Sequence, residues 1–300
     1  MSPPRATDVT IDGRRLRLSN LGKVMYPTTG FTKAGVVDYY ARVGGVMVPH
    51  LRDRLVTMVR YPDGVEGGSF FEKRCPGHAP AWMRQATVDD LTQCVVDDLP
   101  SLVWMANMAA LELHTLQATA THPDRPTAMV FDLDPGEPAG VLDCGRVGVE
   151  LRDVLAELGL TSVVKTSGSK GLHVAVPLNT PGVTADATKS FALALGQLLA
   201  KRDPKRVTTV MKKENRPGKV FVDWSQNDRH KTTVCAYSLR ARPHPTVSTP
   251  VTWGDVEDAL DAGDEDALNF VTDDVLARVE REGDLYAANL ELRQELPALG

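Results

Sequence analysis

Ala128-Met129-Val130-Phe131-Asp132-Leu133-Asp134-Pro135-Gly136 reads as a β-strand that ends abruptly. Successive side chains of a strand alternate between faces, so Asp132 and Asp134 share one face while Phe131 and Leu133 enter a core. Two carboxylates held side by side repel each other unless a proton or a cation compensates them, and a divalent metal is the usual partner of hard oxygen ligands. Pro135-Gly136 stops the strand at once and leaves both acids at an open edge. A solvent-exposed strand end entering a turn carries the same letters, but the strongly apolar flanking positions favour an ion site.

A third acid stands in Lys219-Val220-Phe221-Val222-Asp223-Trp224, a second short strand in which one carboxylate among apolar neighbours needs a partner. Taken alone, Asp223 reads as a hydrogen-bonded structural acid. If its strand lies beside the first, Asp132, Asp134 and Asp223 can hold two divalent ions, the chemistry of an in-line phosphoryl displacement. Between the two strands, Lys165-Thr166-Ser167-Gly168-Ser169-Lys170-Gly171-Leu172-His173-Val174 offers backbone N–H groups to an anion, a fixed charge at Lys170, and His173 on the strand that follows. It lacks the pattern of a Walker loop, and Ser-Gly-Ser turns also occur in loops of no special function. Phe70-Phe71-Glu72-Lys73-Arg74 sets adjacent aromatics beside cations, as base stacking and phosphate contact require, although a Phe also belongs in the core of any fold. Lys23, Lys33 and Arg60 are candidates for gripping phosphate.

Around these motifs the 300-residue chain, 42% hydrophobic and 24% charged, has the composition of a globular protein with a substantial core, which excludes fibrous and wholly disordered classes. No run approaches the ~18 apolar residues of a membrane helix, and the start lacks a signal peptide's apolar stretch, so the expected compartment is the cytoplasm. Cys75, Cys94, Cys144 and Cys235 form no C-x-x-C pair and are expected as reduced thiols. The net charge of −5 conceals an asymmetry: residues 201–244 carry twelve Lys or Arg against four Asp or Glu, and residues 251–300 carry three against fourteen. Such a local positive field suits a polyanionic partner, while a solvated helical face gives the same count. Apolar spacing predicts helices over 32–48, 102–113, 145–158, 185–201, 253–262 and 273–282, the second of them delivering His114 at its end. Strands are expected over 54–61, 127–134, 162–165, 172–177 and 219–224. Mixed elements of this kind make α/β or α+β, as one domain or two tightly interleaved lobes, with the acidic segment from about 251 packed on the outside.

Several segments, in this order, carry a resemblance: Leu18-Ser19-Asn20-Leu21-Gly22-Lys23-Val24-Met25-Tyr26-Pro27, Phe70-Phe71-Glu72-Lys73, Leu111-Glu112-Leu113-His114, Phe131 to Gly136, Thr166 to His173, Val220-Phe221-Val222-Asp223-Trp224-Ser225-Gln226-Asn227 and Tyr237-Ser238-Leu239-Arg240-Ala241-Arg242. Over residues 18–284 the chain resembles the polymerase domain of bacterial ligase D, the primase-polymerase of non-homologous end joining, a branch of the archaeo-eukaryotic primase superfamily. The resemblance implies a single primase-polymerase domain over 1–300, of mixed α+β class with central sheets flanked by helices, in a bacterial, nucleoid-associated setting. It implies that Asp132, Asp134 and Asp223 are the catalytic residues and bind two ions, Mn2+ or Mg2+. Ser167, Lys170, His173 and Arg240 fall on positions that handle the incoming nucleoside triphosphate, with His114 and Gln226 lining the same pocket. Lys23 and Lys33 match the pair that recognises a 5′-phosphate across a gap, and Phe70 and Phe71 match the aromatics that stack near the template. Implied partners are DNA with gaps or double-strand ends, nucleoside triphosphates of either sugar, Ku and a DNA ligase.

One departure is visible. Where the family pattern has two basic residues before Tyr61-Pro62, this chain has Val59-Arg60, so one phosphate contact is expected to be missing. With no ligase or nuclease module in view, the chain is expected as a stand-alone paralogue or as a fragment of a longer polypeptide. Three other readings stay open: gap filling in excision repair with a separate ligase, a haloacid-dehalogenase-like phosphatase using Asp132 as nucleophile, and a non-catalytic module that bridges DNA ends.

Overall fold

The described residues, 6–297 of this computed structural model, begin with a hairpin of β1 (Ala6–Ile11) and β2 (Arg14–Ser19) and a short pair, β3 (Val24–Tyr26) and β4 (Phe31–Thr32). The helix predicted after Thr32 is α1 (Lys33–Leu51), and Thr32 caps it by accepting a hydrogen bond from Gly35 N at 3.4 Å. There follow β5 (Leu55–Arg60), β6 (Phe70–Glu72), β7 (Gln85–Val88), β8 (Leu91–Val95), α2 (Leu99–Asn107), β9 (Ala110–Leu116), β10 (Ala128–Pro135), α3 (Val141–Glu157), β11 (Val163–Thr166), β12 (Leu172–Pro177) and α4 (Ala185–Arg202). The remainder comprises β13 (Val207–Thr208), β14 (Val220–Asp223), β15 (Thr232–Val234), β16 (Pro250–Val251), α5 (Trp253–Ala262), α6 (Thr272–Glu282) and α7 (Ala288–Glu291). The mixed α and β class read from the sequence is the class observed.

The chain divides into two compact units, each drawn from three stretches. The first takes the residues up to Thr115, Val234–Val247 and Val271–Gly283; the second takes Leu116–Thr233, Ser248–Phe270 and the residues from Asp284 on. In the first unit β5 is the hub of an antiparallel sheet, paired with β6, β8 and β9, and β7 continues from β8. Helix α1 packs on α2 and α6. Its tyrosines are buried but satisfied, Tyr39 donating to Tyr237 O at 2.8 Å and Tyr40 to Leu111 O at 2.7 Å. In the second unit six strands run in the order β13-β14-β10-β12-β11-β16. The apolar positions of β10, with Phe131 and Leu133 fully buried, join Val147 and Leu151 of α3 and Phe191 and Leu195 of α4 in one core. Full burial of a side chain such as Phe131 contributes about 2–3 kcal/mol, so the alternation that pins β10 also fixes which face Asp132 and Asp134 take.

Two expectations are corrected. The apolar run 102–113 is not one helix: α2 closes at Asn107, Ala109 turns left-handed with φ 57°, and β9 begins at Ala110. His114 is therefore a strand residue. A continuous apolar run does not separate buried helix from buried strand, and the alternation Leu111-Glu112-Leu113-His114 was the sign of the strand. The cysteines are not all reduced: Cys75 and Cys94 form a disulfide, and Cys144 and Cys235 are free and buried. Their spacing carries no motif; the segment after β6 folds back so that Cys75 N donates to Thr92 O of β8 at 2.9 Å. Closing a loop of this length contributes about 3 kcal/mol in the chain-entropy picture. A Cys75→Ser, Cys94→Ser variant should therefore lose about that much stability in urea without reductant. An unchanged denaturation midpoint would show that the bridge contributes nothing.

Candidate active site

Strands β14, β10 and β12 lie side by side and antiparallel, in a register that sets Asp132 directly opposite Asp223 on one side and His173 on the other. Asp134 follows on the same face, opposite Phe221. Directly opposed Cβ atoms on antiparallel strands are ~5 Å apart, so three acids and a histidine form one short row. His173 Nε2 lies 3.3 Å from Asp132 Oδ1. Arg216 Nη1 lies 3.4 Å from Asp134 Oδ2, its guanidinium stacked 3.7 Å over the Phe221 ring and held by Met211 O at 2.6 Å. Asp223 caps the 3₁₀ turn Trp224–Asn227, accepting from Ser225 N at 2.9 Å; Gln226 Nε2 donates to its other oxygen at 3.3 Å, and Lys231 Nζ is 4.0 Å away. Asn227 takes over where β14 stops, its amide bonding Val130 N and O at 2.8 and 2.7 Å.

Burial and the adjacent Asp132, joined by Asp223, raise the Asp134 carboxyl above its ordinary range against the pull of Arg216 and Lys170. Among the described residues no three His, Cys, Asp or Glu side chains, as they stand, surround a common point. In kind, however, the donor set fits hard divalent ions: three oxygen ligands on adjacent strands, with mutual repulsion that Arg216 and Lys231 already offset.

Two glycines are sterically required here. A Cβ on Gly136 would stand 2.1 Å from Arg216 O, and one on Gly171 would stand 2.0 Å from Leu133 O. The 167–171 loop departs from the expected anion cradle, because Ser167 Oγ accepts from Ser169 N at 3.2 Å and from Gly171 N at 3.1 Å. Those two amides are bonded within the loop, and the Lys170 side chain pairs with exposed Glu137 at 2.6 Å. An exposed pair of this kind is worth little and yields readily to a more charged partner. Lys170 also borders a cavity of about 270 Å³ together with Pro135, Gly140, Ser169 and Glu265.

The remaining predicted residues belong to the first unit. The rows Phe71–Val59–Glu112 and Thr57–His114 place Phe71, Glu112 and His114 on one face of its sheet. The Phe71 and His114 rings meet edge to face at 6.3 Å, and Arg60 lies 5.2 Å over Phe70. Phe71 is 67% and Phe70 44% exposed, so both are surface aromatics and neither fills the core. Glu112, which the sequence reading did not single out, joins two of the predicted residues: His114 Nε2 is 2.9 Å from its Oε2, Arg240 Nε 3.2 Å from its Oε1, and Ala241 N donates to Oε1 at 3.0 Å. Lys33 is buried and donates to Ser19 O at 2.7 Å. It lines a cavity of about 220 Å³ with Asn20, Lys23, Arg60 and Asn107. Lys23 pairs with Asp63 at 2.7 Å and Arg60 with Glu72 at 2.6 Å. Burial, followed by the charges of Arg60 and Lys23, lowers the Lys33 ammonium to about 8.

The chain has clear relatives. A family model described as LigD, primase-polymerase domain, matches residues 32–286. The multifunctional non-homologous end joining DNA repair protein LigD of Mycobacterium tuberculosis is 42% identical over 285 residues, which cover 91% of this chain and 36% of that protein. The bifunctional non-homologous end joining protein LigD of Bacillus subtilis is 31% identical over 269 residues, covering 90% and 43%. This chain thus spans well under half the length of either relative. Among solved structures, the polymerase domain from Mycobacterium tuberculosis ligase D in complex with DNA matches with a TM-score of 0.85 at 40% identity, over 92% of this chain and 99% of that one. With the carboxylate row in β10 and β14 and a family match over most of its length, the chain belongs to the LigD primase-polymerase domain family.

Proposed function

We propose that this chain is a metal-dependent, template-directed nucleotidyltransferase that fills gaps and extends ends during DNA end joining. The observation that carries the reading is the register of Asp132 against Asp223, with Asp134 on the same face, in a chain of this family. The structural relative in complex with DNA supports a DNA substrate. Two divalent ions, manganese or magnesium, would activate the primer 3′-hydroxyl and neutralise charge on the α-phosphate as pyrophosphate leaves. Asp132, Asp134 and Asp223 hold them. Lys170, Ser167 and His173, with Gln226, orient the triphosphate. Phe70 and Phe71 stack on bases, and Lys23, Lys33 and Arg60 hold a 5′-phosphate. Ku and a DNA ligase are proposed partners on the strength of the end-joining relatives. Family membership removes the phosphatase alternative. The test is primer extension on gapped DNA, with and without a 5′-phosphate, comparing manganese with magnesium and ribo- with deoxyribonucleotides. Template-dependent incorporation is expected; none under any combination would leave only an end-bridging role.

Lys33 makes one part of this pH-dependent. It must be protonated to hold a phosphate, and its lowered value of about 8 means the charge is present below that pH and lost as pH rises through it. The preference for a 5′-phosphorylated gap over a 5′-hydroxyl gap is expected to shrink several-fold between about pH 7 and about pH 9.5, read by fluorescence anisotropy. A ratio that stays flat over this range would exclude Lys33 as the phosphate ligand.

A further inference from the structure

We propose that the Cys75–Cys94 disulfide is a site of thiol–disulfide exchange with a dithiol reductant, and that opening it releases the strand that carries Phe70 and Phe71. Strand β5 has two edges. Along one, β9 pairs with Val56 to Arg60; the other is shared, β8 pairing with Leu55 and Val56 and β6 with Met58 to Arg60. The chain leaves β6 at Glu72, opposite Met58, and at Cys75 it is bonded to Cys94, which stands opposite Val56. Cys75 N donates to Thr92 O at 2.9 Å beside the bridge. The bridge therefore welds the end of β6 to β8 where the two strands meet along β5.

Without that weld β6 is weakly held. Its ladder is three residues long, its two aromatics are exposed, and its side-chain contacts are the Arg60–Glu72 ion pair at 2.6 Å, the Arg60 stack over Phe70 and the edge contact of Phe71 with His114. Short pairings that bury little apolar surface open at low cost. The loosened stretch is bounded on its far side, because Arg84 pairs with Asp53 at 2.6 Å and with Asp97 at 2.9 Å, and Arg84 O accepts from Val95 N at 2.9 Å. Cys75 is the more accessible partner, 8% exposed against 1% for Cys94, with Lys73, Arg74, Gly77 and His78 exposed around it in the chain. A thiolate of the reductant attacks Cys75 Sγ, the S–S bond breaks, and Cys94 leaves as a thiolate that takes up the proton the reductant gave up. The second thiol of the reductant then attacks the mixed disulfide, freeing Cys75 and leaving the reductant oxidised to its own disulfide. Two electrons pass to the bridge. Surroundings that keep thiols reduced open the latch, and oxidising ones close it. What the released strand does to nucleic acid rests on the polymerase reading; the exchange itself does not.

The test uses the whole chain, with dithiothreitol as the dithiol. Treating the folded protein should raise its thiol count, read by mass after alkylation in denaturant, from the two of Cys144 and Cys235 to all four. Hydrogen exchange, at labelling times too short for β9 to exchange in either form, should then speed about ten-fold or more over residues 70–74. Affinity for gapped DNA, read by fluorescence anisotropy, should fall about five-fold or more and return on reoxidation. A chain with Phe70→Ala and Phe71→Ala binds weakly in both states and should lose less than about two-fold on reduction, because the bridge acts through those rings. Cys75→Ser with Cys94→Ser should match the reduced parent and ignore the dithiol; if that variant does not fold, the reduced and reoxidised parent carry the comparison. A bridge that dithiothreitol leaves intact in the folded chain, or exchange over 70–74 that is the same in both forms, would overturn the proposal. A parent that binds no gapped DNA in either form sinks the polymerase reading instead, and the thiol count and exchange rates still decide the latch.

Discussion

Asp132→Ala and Asp134→Ala chains are expected to bind gapped DNA within about two-fold of the parent while incorporating nucleotide at less than about one hundredth of its rate. Changing groups that merely orient a metal ligand costs ~10- to 100-fold, and deleting the ligand itself removes more. The usual confounder, damage to the fold, is weak here for a physical reason. Asp132 faces Asp223 across the ladder, and burial, joined by repulsion from both, raises the Asp134 carboxyl. Removing one acid relieves that repulsion, so the melting temperature should hold or rise while activity disappears. The Asp→Asn forms, which keep the shape and lose the charge, should behave alike. The DNA-contacting candidates Lys23, Lys33, Phe70 and Phe71 are in the first unit and the acids in the second, so binding and chemistry are separable by substitution. An Asp134→Ala chain that still extends a primer with manganese present would remove the mechanism.

The acids were legible because a strand advertises itself by alternation: Phe131 and Leu133 had to be inside, and Asp132 and Asp134 followed. What local pattern cannot give is which strand lies next door. That Asp223 stands opposite Asp132 depends on β14 pairing with β10 across a separation of about ninety residues, and family resemblance supplied what periodicity did not. The same limit hid Arg216, whose place beside Asp134 comes from the backbone approach that Gly136 permits. The Ser-Gly loop is legible, but two of its amides, those of Ser169 and Gly171, bond Ser167 within the loop, a competition between side chain and ligand that the letters do not rank. Glu112 stands in Leu-Glu-Leu-His, but an apolar run reads equally as helix, where Glu112 and His114 would diverge; on a strand they share a face.

Glu112 carries the second large expectation. Burial alone would push its carboxyl up, yet the hydrogen bond to His114, the charge of Arg240 and the Ala241 N–H outweigh it and hold the group at about 2. Removing one member of a buried ionic cluster leaves the others uncompensated, so Glu112→Ala should cost roughly 3–5 kcal/mol, and Glu112→Gln somewhat less because the amide can still accept from Ala241. The pH dependence isolates the charge. A carboxyl at about 2 when folded, against its ordinary 4.5, binds fewer protons folded than unfolded between those values. Its stabilisation is therefore complete above about pH 4.5 and withdrawn as pH falls through about 2, a contribution on the order of 3 kcal/mol. Other acids bend the parent's own acid limb, so the informative quantity is the parent-minus-Gln difference in urea unfolding free energy. It should be large at about pH 7 and shrink steadily below about pH 4. A difference that does not change with pH would mean that Glu112 is held for its shape, and that His114 and Arg240 are kept in place by something other than its charge.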